Sequence, residues 1–310
     1  MIRSIVAPVD GSRLSEIALP WALMLARRAG ASVRMVLAHA PMAALVPAAG
    51  MMWAETEHDG ERRAREQTYL AETAARFASA DGPPVRFELL DGLAGPAIEE
   101  YVERESPDLV VMATHGRGGL SRYWLGSVTD YLIRHVSVPM LLLHLRDGNV
   151  VRREAPAIRR ILVPLDMSAT SEAILESVGA LACATQAHVT LFHVVETVYG
   201  MAAASPADVP PPPTGIQQQR DDAQQYLDEV ASRLRARGHS VAAAVTLGFS
   251  AAATILGQLA PGRFDLVALS THGAGRFKRL VVGSVADKVI RGAAVPVLTV
   301  RPSESVVPTI

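Results

Sequence analysis

The chain lacks the features that mark a disulfide-bonded or nucleic-acid-binding protein. Its 310 residues include one cysteine, so no intramolecular disulfide can form. Cys183 lies in the helix-like run LESVGALACATQA, where we expect a small, buried, structural thiol. The formal net charge is -1, which argues against the broadly basic surface that drives nucleic-acid binding. Any positive site must therefore be local.

Long apolar runs are also missing. A helix that spans a bilayer needs roughly 20 apolar residues, and prolines such as Pro20, Pro41 and Pro47 interrupt the most apolar stretches. The opening MIRSIVAPVDGS leads into a short β-like segment and lacks the apolar core of roughly 7 to 15 residues that a secretory signal needs. We therefore expect a cytoplasmic protein with no membrane partner.

The familiar motifs of catalysis are absent as well. No Walker sequence is present, and no Gly-x-Gly-x-x-Gly follows a first strand with an acidic partner downstream. Neither a GxSxG elbow nor an HExxH pair occurs, and His115 and His272 each lack a second ligand at metal-binding spacing. The sequence disfavours a P-loop ATPase or a dehydrogenase, and it offers no catalytic pair and no metal site.

One unit is present twice in tandem. SIVAPVDGSRLSE at 4–16 aligns with RILVPLDMSATSE at 160–172, so that Asp10 pairs with Asp166. The stretch from Pro107 aligns over a longer length with the stretch from Phe264, pairing Gly126 with Gly283. We predict a first domain over 1–146, an exposed charged linker over 147–158 and a second domain over 159–303.

Each repeat has the pattern of an α/β fold. Continuous apolar runs such as VRMVLAHA alternate with amphipathic segments such as EIALPWALMLARRAG, which indicates buried parallel strands and crossover helices. The predicted fold is two tandem open parallel five-stranded sheets of the doubly wound type, with helices on both faces, packed as an intramolecular pseudo-dimer. In the first repeat we place strands near Ser4–Pro8, Ser32–Ala38, Val85–Leu89, Leu109–Ala113 and Pro139–Leu143.

Two further local expectations concern helix boundaries. An interior proline costs about 3 kcal/mol in a helix, so Pro20 predicts a kink or a delayed helix start. The long segments after the second strands, 40–61 and 196–215, are expected to be loops.

In such a sheet the ligand crevice lies beyond the carboxyl ends of the strands. Asp10 and Asp166 follow the first strand of each repeat, where they either cap the next helix or accept a hydrogen bond from a ligand amine or hydroxyl. A glycine loop follows the fourth strand, with Gly116 and Gly273 in it, and Gly126-Ser127 and Gly283-Ser284 begin the next helix. Small residues and a helix N-terminus together predict a triphosphate cradle.

These stretches resemble the universal stress protein family in its tandem form, and the resemblance runs from Ile2 to Pro302. Nucleotide-binding members carry Gly, two residues, Gly, nine residues, then Gly followed by Ser or Thr. Both repeats keep the last two glycines and the serine, but Ala113 and Ser270 replace the first glycine. Because a position permissive for unusual φ could be lost there, we expect weakened rather than abolished binding.

The resemblance implies an ATP site in each repeat, and the choice of adenine rests on the resemblance alone. Mg²⁺ would arrive with the triphosphate, because hard cations prefer phosphate oxygens. Beyond the motif residues above, the implied binding residues are Pro8, Asp10, Ala40, Ser127 and Val128 in the first repeat and Pro164, Asp166, Val194, Ser284 and Val285 in the second.

Three functions remain open on the sequence. The first is an ATP-binding regulator of the stress response that changes a face for an unknown protein partner. The second is a scaffold of the same fold that binds no nucleotide and acts through protein contacts. The third is a slow ATP hydrolase or phosphotransferase. The apolar final strands VPMLLLH and VPVLTV could be covered by the other repeat or in a homodimer.

Overall fold

The chain divides into two α/β units, Met1–Pro156 and Ala157–Ile310. The computed structural model describes residues 1–41, 54–114, 125–144, 157–197, 214–272 and 282–302, with the side chains of 54–58 outside the description. Two residues of the predicted cradle, Gly116 and Gly273, lie outside the described residues.

Unit one contains the predicted five-stranded parallel sheet, ordered β3-β2-β1-β4-β5. β4 and β5 are buried at every position, which suits strands covered on both faces. The strand order reverses between β1 and β4, so the crevice beyond their carboxyl ends is the switch point. The strands are β1 (Ser4–Pro8), β2 (Ser32–His39), β3 (Val85–Asp91), β4 (Leu109–Ala113) and β5 (Met140–Leu143).

The helices of unit one lie on both faces of its sheet. They are a 3₁₀ turn (Ser15–Ile17), α1 (Ala18–Ala29), α2 (Ala54–Phe77), α3 (Ala94–Glu105) and α4 (Ser127–His135). The Tyr69 hydroxyl of α2 donates to Glu16 Oε1 beside α1 at 3.1 Å, which joins the helices of one face. The Tyr131 hydroxyl of α4 donates to Glu99 Oε2 of α3 at 2.5 Å on the other face.

Unit two repeats this architecture, ordered β8-β7-β6-β9-β10 and again parallel. Its strands are β6 (Arg160–Pro164), β7 (His188–Glu196), β8 (Val241–Gly248), β9 (Leu266–Ser270) and β10 (Val297–Val300). Its helices are α5 (Ala169–Glu172), α6 (Leu175–Thr185), α7 (Thr214–Ala236), α8 (Ala251–Gln258) and α9 (Ser284–Gly292).

Both units hold the start of the first strand with the same carboxylate contact. In unit one, Asp108 Oδ2 accepts from the backbone amides of Arg3 at 2.8 Å and Ser4 at 2.9 Å. In unit two, Asp265 Oδ2 accepts from the amides of Arg159 and Arg160, both at 2.9 Å. These bonds satisfy backbone donors that the strand ladder does not use.

Two sequence expectations about helices are resolved by the boundaries. Because α1 begins at Ala18 after the 3₁₀ turn, Pro20 lies in the first helical turn, where amides lack an intrahelical acceptor, and the delayed start is confirmed. The expected loops 40–61 and 196–215 are too long, since α2 begins at Ala54 and α7 at Thr214. Gly60 weakens the helical sequence pattern in α2, so the first turns of this helix are not evident from the sequence.

The expectation for Cys183 is wrong. Its thiol is free and exposed on α6. The buried residues of that helix are Val178, Leu181, Ala182 and Thr185, whose spacing of three and four residues defines the face against the sheet. Cys183 follows this stripe by one position and turns toward solvent, although most residues around it are small and apolar.

Candidate functional site

The first loop of each unit is shaped by its aspartate. Asp10 Oδ1 accepts from the Ser12 amide at 2.9 Å and from the Ser12 hydroxyl at 2.6 Å. Asp166 Oδ1 accepts from the Ser168 amide at 3.1 Å and from the Ser168 hydroxyl. Ser168, not Asp166, caps the following helix α5 by accepting from an amide of its first turn. Helix capping is therefore the role of the serine, and the aspartate positions that serine.

The loops differ in backbone strain at the residue after the aspartate. Gly11 has a φ of +83°, a value that glycine adopts without penalty. The equivalent residue in unit two is Met167, with a φ of +66°, and its side chain is exposed. A side chain in this left-handed region costs roughly 1–2 kcal/mol, so unit two holds its loop at a cost that unit one avoids.

The first position of the glycine motif has ordinary backbone geometry in both units. Ala113 and Ser270 end strands β4 and β9, and neither has a positive φ. The expected weakening of binding through a lost glycine conformation therefore has no basis at these positions. Both residues are buried, and Ser270 Oγ has no hydrogen-bond partner in the structure. A buried hydroxyl without a partner costs roughly 1–3 kcal/mol, and Ser270 is not among the residues that line the cavity at the strand ends of unit two.

The fourth connection of each unit ends at a helix N-terminus beside the switch point. The Gly126 amide donates to Thr114 O at 2.7 Å, and the Gly283 amide donates to Thr271 O at 2.8 Å. These bonds tie the first turns of α4 and α9 to the ends of β4 and β9. The motif residues Ser127, Val128, Ser284 and Val285 lie in those turns, whose amides lack intrahelical acceptors and carry the positive end of the dipole.

A cavity of about 440 Å³ lies at the strand ends of unit two. Its size falls within the roughly 300–1,000 Å³ of small-molecule sites. It brings three sequence-predicted residues together, because Asp166, Val194 and Val285 all line its wall. Pro164 ends strand β6 two residues before Asp166 and is half-buried. The remaining lining residues are Met167, His193, Val195, Glu196, Gln219, Asp222 and Ala251.

Hydrogen-bond acceptors are prominent in the lining of this cavity. Asp166, Glu196 and Asp222 contribute three carboxylates, which suit a ligand that presents amine or hydroxyl donors. Glu196 Oε1 is held in place because it accepts from the Ala251 amide at 2.5 Å. His193 Nδ1 donates to Leu165 O at 2.8 Å, since a carbonyl oxygen can only accept.

The corresponding region of unit one contains a cluster of charged and polar side chains. His39 ends strand β2 with 1% of its side chain exposed. Its Nδ1 donates to Glu66 Oε2 at 2.5 Å, and its Nε2 faces Asp59 Oδ2 at 3.2 Å. Arg62 Nη2 contacts Asp59 Oδ1 at 3.1 Å and also donates to Ala40 O. We call His39, Asp59, Arg62 and Glu66 the ionic cluster.

Strand register shows that Ala40 and Val194 do not occupy equivalent positions. Pro8 pairs with Val36 in unit one, and Pro164 pairs with Phe192 in unit two. Counting from these pairs, Ala38 is equivalent to Val194, and Ala40 is equivalent to Glu196. The unit-one position equivalent to Val194 is therefore Ala38, whereas Ala40 O is the acceptor that Arg62 uses.

Several residues of the two crevices are not evident from the sequence. Gln219, Asp222 and Arg62 belong to the long helices, far along the chain from any motif, and only packing of those helices on the strand ends brings them in. A usable sequence signal exists for His193 and Glu196, since polar residues interrupt the apolar run HVTLFHVVE at its carboxyl end. Among the described residues, no group of three or more His, Cys, Asp or Glu side chains is arranged to hold a metal.

The strand order and the helix N-terminus at its switch point define a doubly wound α/β protein with a small-molecule crevice. A model of the universal stress protein family matches residues 1–144 and again residues 157–301. These matches span most of the chain, so the chain belongs to the universal stress protein family, as a tandem duplication. The family expected from the sequence motifs is confirmed.

Relatives of the same length share this organisation. A universal stress protein of Mycolicibacterium smegmatis is 26% identical over 301 residues, covering 96% of this chain and 97% of that protein. Universal stress protein Rv2005c of Mycobacterium tuberculosis is 27% identical over 305 residues, with coverages of 96% and 97%. The crystal structure of a universal stress protein from Archaeoglobus fulgidus has a TM-score of 0.67 at 18% identity and covers 97% of both chains, a likeness of fold. No described helix here has the length and apolarity to cross a membrane.

Proposed function

We propose that this universal stress protein binds an adenine nucleotide, ATP being the expected ligand, and acts as a nucleotide-responsive regulator. The observation that carries the proposal is the unit-two cavity, where strand-end carboxylates and the first turn of α9 line one space. Carboxylates accept from the hydroxyls of a ribose and the amine of an adenine, while helix amides bind phosphate oxygens. A nucleoside phosphate presents both sets of groups in one molecule.

The residues present fit this ligand. Asp166 and Glu196 supply fixed acceptors, because Ser168 and Ala251 hold the two carboxylates by hydrogen bonds. Val285, in the first turn of α9, lines the same cavity, and Ser284 precedes it in that turn, whose amides lack intrahelical acceptors. Gly273, Gly283 and Ser284 supply the last three positions of the glycine motif, and Gly273 lies outside the described residues. The selection of adenine over other bases rests on the family resemblance.

Regulation requires that the nucleotide have different affinity for two states of the protein. Binding at the strand ends would join the loop after β6 to the start of α9, since Asp166 and Val285 line the same cavity. When a triphosphate is bound, Mg²⁺ accompanies its phosphate oxygens, and the described residues provide no carboxylate cage of their own. We propose that the protein is cytoplasmic and that a partner protein there binds the state in which the nucleotide joins these two segments.

The first test is direct identification of a ligand. Mass spectrometry of the ligand released from purified protein, followed by calorimetric titration of the stripped chain with MgATP, should give an adenine nucleotide and saturable binding. Asp166→Asn should weaken binding about tenfold, because it removes a charge-assisted hydrogen bond worth roughly 1.5–3 kcal/mol. The matched control is Asp228→Asn, an exposed aspartate of α7 away from the cavity, which should bind as the parent does.

The scaffold function gains if no ligand is released and millimolar MgATP produces no binding heat. In that case the chain would act through protein contacts alone. Turnover of bound ATP that one side-chain substitution abolishes would instead favour a slow hydrolase or phosphotransferase.

A further inference from the structure

The two long helices α2 and α7 can be aligned by their contacts with the sheet. The Tyr69 hydroxyl donates to Glu16 Oε1 at 3.1 Å, and the Tyr226 hydroxyl donates to Glu172 Oε1 at 2.9 Å. Arg76 and Arg233 reach the other oxygens of the same two glutamates at 2.8 Å and 2.6 Å. These matched contacts fix which residue of α2 is equivalent to which residue of α7.

Arg62 and Gln219 occupy the same helical position, about two turns before the anchoring tyrosines. Gln219 lines the unit-two cavity. Arg62 instead donates through Nη2 to Ala40 O at the end of β2 and contacts Asp59. A neutral amide thus faces the crevice of one unit, and a guanidinium bonded to the strand end lies in the other.

The other residues of the ionic cluster hold Arg62 in position through a chain of contacts. Asp59 binds Arg62 through Oδ1 and His39 through Oδ2, and His39 in turn contacts Glu66. The equivalent positions in unit two carry three uncharged residues, Val195, Ile216 and Ala223. Ile216 and Ala223 of α7 are uncharged, so they cannot hold an arginine against the strand end as Asp59 and Glu66 do in unit one.

We propose that Arg62 closes the base end of the unit-one crevice, so that the chain binds one adenine nucleotide, in unit two. This inference rests on the proposed function. A base that occupies in unit one the space that Gln219 lines in unit two must displace the Arg62 guanidinium from Ala40 O and Asp59, and it then leaves Asp59 without that guanidinium. Losing one charge-assisted hydrogen bond alone weakens binding about tenfold or more.

The side chain of Arg62 does not complement the polar edge of an adenine base. Its Nε is buried and has no hydrogen-bond partner in the structure, although 29% of its side chain is exposed. An arginine has only donors, so it offers a base no acceptor for an exocyclic amine. Gln219 offers both a donor and an acceptor at the equivalent position.

The test exchanges the two residues in the full-length chain. MgATP is titrated calorimetrically into stripped parent, Arg62→Gln and Gln219→Arg proteins, with circular dichroism and thermal unfolding to verify folding. The parent should bind one nucleotide per chain, Arg62→Gln should bind two, and Gln219→Arg should bind none. If Arg62→Gln is poorly folded, Arg62→Met, which keeps the aliphatic stem and removes the charge, replaces it.

Each alternative outcome has a distinct meaning. Two sites in the parent protein would overturn the closure of unit one and leave the proposed nucleotide binding intact. A single site in the Arg62→Gln and Arg62→Met proteins would overturn the assignment to Arg62. Binding retained by the Gln219→Arg protein would overturn the assignment to unit two. An absence of binding in the parent, Arg62→Gln and Arg62→Met proteins would overturn the proposed function itself.

Discussion

In unit one, α2 meets the end of its neighbouring strand through the charged side chains of the ionic cluster, whereas in unit two the equivalent positions of β7 and α7 are uncharged. Both helices nevertheless keep the same tyrosine–glutamate–arginine anchor to the start of the first helix. The duplicated fold has therefore conserved the contacts that hold its layers together and diverged where a ligand would enter. A ligand site can change its chemistry without a change in architecture when the two sets of contacts involve different residues.

Removing the histidine of the ionic cluster should have the largest effect on stability. His39→Val leaves the Asp59 and Glu66 carboxylates without their common partner. A buried polar group that loses its hydrogen-bond partner costs roughly 1–3 kcal/mol, and Asp59 keeps its contact with Arg62, so we expect the free energy of unfolding to fall by about 2 kcal/mol. Urea denaturation followed by circular dichroism measures this loss.

The matched control for that substitution transplants the unit-two residues as a set. The triple variant His39→Val, Asp59→Ile, Glu66→Ala removes both carboxylates along with the histidine, so most of the lost stability should return. A triple variant as unstable as His39→Val alone would show that the charges are not the cause of the loss.

The shared anchor should be the next most sensitive feature, and its two copies should respond unequally. Tyr69→Phe removes a hydroxyl from Glu16, whose side chain is 7% exposed, whereas Tyr226→Phe removes one from Glu172, whose side chain is 24% exposed. We expect losses of about 2 and about 1 kcal/mol, because a hydrogen bond to a charged group contributes roughly 1.5–3 kcal/mol and solvent replaces it more easily at Glu172. Equal losses in thermal unfolding would contradict this explanation.

The anchoring phenols should also titrate unusually. Burial, followed by the charge of Glu16, raises the pKa of Tyr69 well above its ordinary value, and burial and the hydrogen bond to Glu172 do the same for Tyr226. Both hydroxyls therefore remain protonated donors across the physiological range.

Exchanging the residues that follow Asp10 and Asp166 should change the free energy of unfolding by smaller amounts and in opposite directions. Met167→Gly should raise the free energy of unfolding by up to about 1 kcal/mol, since glycine tolerates a positive φ. Gly11→Met should lower it by at least as much, because φ is +83° there. Differential scanning calorimetry of both variants measures the two changes, and a destabilised Met167→Gly protein would mean that packing of the methionine outweighs its backbone strain.

The smallest expected effect concerns the exposed pair Arg63 and Asp91 beside the ionic cluster. The hydrogen bond from Arg63 lowers the pKa of Asp91, so the stabilisation is present above the ordinary carboxyl pKa and is lost as the pH falls through the lowered value. Arg63→Ala should raise the Asp91 pKa in an NMR titration and cost less than about 0.5 kcal/mol at neutral pH. Leu247 stands at the equivalent position of unit two, so Arg220→Ala is the control and should show no such pH dependence.

Much of the fold follows from periodicity alone. Strand β1 and strand β4 begin and end where the apolar runs predict, because a strand buried on both faces cannot tolerate a polar interior. Cys183 shows the limit of such reasoning, since in a segment of small apolar residues the pattern did not reveal which face meets the sheet. The start of α2 was obscured for a related reason, because Gly60 interrupts the pattern that tertiary packing restores.

The candidate site divides in the same way. Local motifs predicted Asp166 and Val285, which line the cavity, and Ser284, which begins α9, because strand ends and helix starts are encoded by neighbouring residues. Only the strand register shows that Ala38, and not Ala40, is equivalent to Val194, since register depends on pairing with β1 and β6 rather than on sequence similarity.

The sequence by itself determined the duplication, the parallel α/β architecture and the family, because these depend on hydrophobic period and on motifs within a few residues of each other. Only the tertiary structure decided that Arg62 reaches Ala40 O while Gln219 lines a cavity, and that His39 lies buried between two carboxylates. Those contacts join residues distant along the chain, so they exist only after the long helices have packed against the strand ends.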